Sequence, residues 1–157
     1  MSNTTTALYK IIDRLNNLFI AEGFKSFTFG SVTDVNLFRE EPEFPSVLTM
    51  IQPITYDSTQ TTLTFAIIVA DKVDKTGNSY IEYAKDNSVD IYQDLLIKTQ
   101  SVLNKMDERY LSTYDTLKLG YQLQYNVSMD PFSEDYPDLL TGYIVKVSFN
   151  VPNMTVC

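Results

Sequence analysis

The chain has 157 residues, a formal net charge of −8 and a sequence pI near 4.4, with 44% apolar and 20% charged residues. That length and apolar content predict one domain with a buried core, and the charge is too sparse for a disordered chain. There is no histidine, no tryptophan and one cysteine, Cys157, which excludes internal disulfides, zinc sites built on His or several Cys, and every mechanism with a histidine base.

Leu8, Ile11, Ile12, Leu15, Leu18 and Phe19 recur at helical spacing and predict a helix over 6–22. Thr5 or Thr6 can cap its start, and Gly23 stands where a left-handed residue would end it. Phe24, Phe27 and Phe29 lead towards Val32 in a short aromatic strand interrupted by Gly30. Residues 33–46, with Pro42 and Pro45 among Glu40, Glu41 and Glu43, read as a connection. In 47–54, Val47, Thr49 and Ile51 alternate with Leu48 and Met50, as in a strand. The next strand, 61–70, opens with alternation and turns continuously apolar at 65–69, the pattern of a strand buried on both faces. A six-residue link around Asp57, Ser58 and Thr59 makes the pair an antiparallel hairpin.

Residues 71–87 read as a polar loop with a Thr-Gly-Asn turn signal at 76–78. Val89, Tyr92, Leu95, Leu96, Val102, Leu103, Met106 and Tyr110 then predict a long second helix with Ser88 as N-cap. Asp90 and Asp94 near its start and Lys105 and Arg109 near its end suit the helix dipole, and Asp94 can pair with Lys98 one turn on. Two strands close the chain. Residues 117–129 alternate through Leu119, Tyr121, Leu123, Tyr125, Val127 and Met129, and 141–151 through Tyr143, Val145, Val147, Phe149 and Val151. The acidic stretch DPFSEDYPD at 130–138 reads as a flexible connection, and 153–157 as a tail. The fold class expected is α+β: a mainly antiparallel sheet with an N-terminal helix and a long central helix packed on one face, in a single domain over 1–157.

Catalytic constellations are not evident. The five glycines are isolated, so neither a P-loop nor a dinucleotide fingerprint is present. Asp86, Asp90 and Asp94 are spaced to line one helical edge, and Asp130, Glu134, Asp135 and Asp138 lack the spacing of an EF-hand loop. Both groups read as solvated acids. No carboxylate pair is singled out for glycosidase chemistry, and Cys157 has no base to activate it. The expectation is no enzyme, no metal and no cofactor. An acidic chain also lacks the basic face of a sequence-reading nucleic-acid binder. MSNTTTALYKIIDRLNN lacks the regions of a signal peptide, and no run is long enough to span a bilayer. The informative excess is eleven tyrosines, most of them in the second half, a residue type enriched at protein interfaces.

The strand TTLTFAIIVADKV, followed by DKTGNSYIEYAKDNSVDIYQDLLIKTQSVL, resembles the small tail-terminator or tail-completion proteins of tailed bacteriophages. The similarity lies in a strand, a polar loop, and a helix of the type S-x-x-x-I-x-x-D-L-L, here Ser88, Ile91 (one position early), Asp94, Leu95 and Leu96. FSEDYPD before LLTGYIVKVSFNVPN, and a cysteine near the end, resemble the family's closing strand. The resemblance implies a non-enzymatic virion protein, assembled in the host cytoplasm. It would form a ring of six or twelve copies in the neck, between portal or adaptor proteins and tail proteins, with DNA only as passing cargo and no membrane contact. Expected interface residues are Lys75, Asn78, Tyr80 and Tyr83 in the first loop. Asp130, Phe132, Glu134 and Tyr136 are expected in the second, with Met154 and Cys157 in the tail. A small adaptor binding a peptide or sugar through aromatic contacts is the alternative.

Overall fold

The computed structural model describes residues 6–30, 43–73, 81–84, 86–107, 121–135 and 140–152. Helix α1 (Thr6–Ala21) buries Ile11, Leu15 and Phe19, a stripe at the predicted spacing. It ends in a Schellman motif. Gly23 takes φ 105°, its N–H bonds to the Ile20 carbonyl and the Phe24 N–H to the Phe19 carbonyl. The Phe19 and Phe24 rings meet edge-on at 5.2 Å, the apolar contact that accompanies this cap.

Strands β1 (Ser26–Gly30), β2 (Ser46–Ile51), β3 (Thr55–Tyr56), β4 (Gln60–Lys72), β5 (Gln122–Asp135) and β6 (Leu140–Pro152) form one sheet ordered β1-β2-β4-β6-β5, with β3 on the start of β4. The pairs are antiparallel except β1–β2, which is parallel. Parallel neighbours need a connection of a dozen or more residues, and Gly30 and Ser46 are 16 positions apart in the chain. At the tip before β4, the Asp57 carboxylate accepts N–H groups from Thr59 (2.7 Å) and Gln60 (2.9 Å), so the predicted Asp-Ser-Thr link is an Asx turn. These bonds hold the Asp57 carboxyl below its ordinary pKa.

All 13 residues of β4 pair with β6. Register decides the face each residue takes. Val47, Leu63, Phe65, Ile67, Val69, Val145, Val147, Phe149 and Val151 turn towards α1 and α2 (Ser88–Met106) and build the main core. Leu48, Met50, Ala66, Ile68, Ala70 and Leu140 form a second cluster with Phe44, Phe132 and Ile144. The run at 65–69 is therefore apolar for the predicted reason: β4 is central and covered on both faces. The fold is α+β.

Several expectations need correction. The buried stripe of α2 is Ile91, Leu95, Thr99, Val102, Leu103 and Met106, while Val89 is 40% exposed. The N-cap is Asn87, not Ser88, whose N–H and hydroxyl both donate to Asp86. Asp86 thus lies ahead of the helix and does not extend an Asp90–Asp94 edge. Finally, 130–135 is not a connection but the second half of β5, since β6 templates it through Asp130↔Ile144 and Asp135↔Leu140. Pro131 is tolerated because β5 lies at the edge of the sheet among the described residues. The register slips between Gln124 and Ser128, where Asn126 takes φ 72°, and this bulge puts Tyr125 out of the predicted alternation and into solvent.

Candidate interaction surface

Of the residues expected at an interface, Tyr83 is exposed and Asp130 lies exposed on β5. Phe132 is half-buried in the second cluster, held by its backbone carbonyl accepting from the Tyr92 hydroxyl at 2.7 Å. Glu134 belongs to β5. Lys75, Asn78, Tyr80, Tyr136, Met154 and Cys157 lie outside the described residues, as do positions 74–80, 85 and 136–139 of the two expected loops.

The tyrosines divide by role. Tyr92 and Tyr143 meet edge-on at 5.3 Å, and the Tyr143 hydroxyl donates to the Tyr92 carbonyl at 3.1 Å. Tyr121 is buried against Phe149, with its hydroxyl donating to the Met106 sulfur at 3.6 Å. Burial raises the Tyr121 pKa, against the opposing charge and hydrogen bond of Arg14. Arg14 also donates to the Lys105 carbonyl at 3.1 Å, bringing a cation to the C-terminus of α2. These three tyrosines stabilise the fold. Tyr9, Tyr56, Tyr83 and Tyr125 are the exposed ones among the described residues.

One of those four, Tyr9, belongs to a surface that linear reading does not gather. Tyr9, Phe29 and Ile51 are 76%, 43% and 38% exposed. Phe29 pairs with Thr49, so the parallel register sets Phe29 and Ile51 diagonally on the helix face of the sheet. Tyr9 joins them across a groove of about 230 Å³ lined by Tyr9, Ile12, Asp13, Asn16, Phe27 and Phe29. The result is an apolar rim at the β1 end of the sheet. The one available signal was Tyr9, an aromatic lying off the apolar stripe of α1. A second groove, of about 380 Å³, runs along Ile97, Gln100, Ser101, Asn104 and Lys105 of α2.

Charged groups gather where α2 crosses β4. Burial raises the pKa of the half-buried Asp71, with the Lys72 N–H, Lys98 and Lys25 opposing and Asp94 adding to it. Lys98 pairs with Asp94 at 3.0 Å and lies 5.9 Å from the centre of the Phe24 ring. Neither groove includes Asp71. Among the described residues no group of three or more His, Cys, Asp or Glu is placed to hold a metal ion, and no described helix is long and apolar enough to cross a membrane. No protein-family model matches the chain. A search of curated proteins likewise returns no significant match.

Proposed function

We propose that the chain is a ring-forming neck subunit of a tailed-bacteriophage virion, a tail-terminator or tail-completion protein between portal and tail. The apolar rim at the β1 end carries this reading, because exposed apolar surface gathered on one side of a subunit marks a protein contact. The sheet is asymmetric, with β1 at one end and β5 at the other. A rim at one end that meets a different part of the next copy makes a heterologous contact, which closes into a ring when the rotation allows. The resemblance carried by residues 61–103 and 132–153 supports the same assignment. A charge of −8 per copy sums to about −48 in a ring of about six, and acids bordering the channel would let DNA pass without adhering.

The test is native mass spectrometry and negative-stain microscopy of the full chain, alone and with the portal and tail proteins encoded beside it. Closed rings, alone or seated on the portal, are the expected result. A monomer that ignores those partners and melts higher with a peptide or sugar overturns the reading in favour of the adaptor.

A further inference from the structure

We infer that the outer edge of β1 is the seat for residues 153–157 of a second copy, which add a strand to the sheet. The inference rests on the ring reading and names its contact. Strand β1, Ser-Phe-Thr-Phe-Gly, pairs with β2 over five unbroken positions, and among the described residues no strand pairs with its other side. Edge strands are normally guarded by lysine, proline or a bulge. Strand β1 has none of these, and Phe27 and Phe29 open into the groove beneath α1.

An incoming strand would lay alternate side chains beside Phe27 and Phe29. Residues 153–157 read Asn-Met-Thr-Val-Cys, with Met154 and Val156 two apart and no charge. Strand β4 begins at Gln60, which pairs with Pro152, the last described residue of β6. Geometry then decides between the chain's own β1 and that of a neighbour. The outer side of β1 is four strand spacings from β6, about 19 Å at roughly 4.8 Å each. Five residues reach at most about 18 Å. Moreover, β6, β2 and β1 run in the same direction, and Pro152, opposite Gln60, lies past the end of β1, whose Gly30 is level with Ala66 through Met50. A segment that continues from Pro152 would have to turn back to run along its own β1. It can pair along another copy's.

Cys157 is the one cysteine of the chain, which makes the test direct. Ser26→Cys, Thr28→Cys and Gly30→Cys are each introduced into the full chain, with folding checked by circular dichroism, and oxidised with diamide. The expected result is a covalent link between Cys157 of one copy and one of the β1 positions of another, identified by peptide mass mapping and abolished by Cys157→Ser. Disulfides need Cα atoms within about 7 Å, so the position that reacts also reports the register. In parallel, Phe29→Lys should weaken self-association by roughly tenfold or more while leaving the circular dichroism unchanged. Rings that form without a β1–Cys157 link overturn the strand addition and leave the ring reading standing. A chain that shows neither self-association nor the link also overturns the strand addition, and its behaviour with portal and tail proteins then decides the ring reading separately.

Discussion

Asp71 lies opposite Thr141 in the β4–β6 ladder, half-buried beneath α2, and its carboxyl titrates above the ordinary 3.8 because burial disfavours the charge. Folding therefore binds a proton there. Its effect on stability is neutral below about pH 3.8 and turns unfavourable as pH rises through the raised value. Asp71→Asn should melt higher than the parent at pH 7–8, with the gap closing towards about pH 3 in a thermal-denaturation series. Glu22 has the opposite sign. Its pKa is held below 4.5 by the Ser101 hydroxyl and then by Lys105, so its contribution is present above pH 4.5 and lost as pH falls through the lowered value. Glu22→Gln should lower stability at neutral pH by about 0.5 kcal/mol or less, the scale of an exposed pair, with no difference in strong acid. Gly142 is a steric requirement. A Cβ built there meets the Val69 carbonyl oxygen at 1.8 Å and the Ala70 Cα at 2.9 Å. Gly142→Ala should cost about 1–3 kcal/mol or more, read from the urea midpoint, because backbone must move to admit it.

At the scale of elements, legibility followed how local the determining contact is. The Phe19–Gly23–Phe24 end of α1 could be read because a Schellman cap is closed by residues within one turn. Strand β4 could be read because burial on both faces leaves a continuous apolar run. The second half of β5 could not, because Asp130 and Pro131 carry turn chemistry and become strand only through β6, which follows them in sequence. Helix α2 was placed but misphased, since Thr99 is a polar residue fully buried on its inner face. The rim was missed for a related reason: Tyr9, Phe29 and Ile51 come from three segments that the β1–β2 register and the α1 packing bring together. The aromatic layer between sheet and helices offers a quantitative check. Phe149 touches Phe65 at 5.9 Å and Tyr121 at 5.4 Å between ring centres, fully buried. Phe149→Ala should lower unfolding free energy by about 3–5 kcal/mol, measured by chemical denaturation.

For the whole molecule, a charge of −8 means that copies repel one another before any contact forms. Self-association through an apolar rim should therefore strengthen as salt rises from about 0.02 to 0.5 M, because screening removes the repulsion and leaves the apolar contact. Sedimentation velocity across that range checks it, and dissociation with salt would mean that ion pairs hold the copies together instead. The same sheet also fixes a timetable. Gln60 pairs with Pro152 and Lys72 with Leu140, so the most apolar strand waits for a partner made long after it. During synthesis Phe65, Ile67 and Val69 have β2 on one side and an open edge on the other until β6 leaves the ribosome. Contacts this distant in sequence are slow to close, and an uncharged β-prone segment left open in the meantime invites aggregation. A chain stopped at residue 139 should accumulate as insoluble material, whereas co-expressed residues 140–157 should recover part of it. Strand β6, made well after the strand it covers, is the one that shields the sheet's centre.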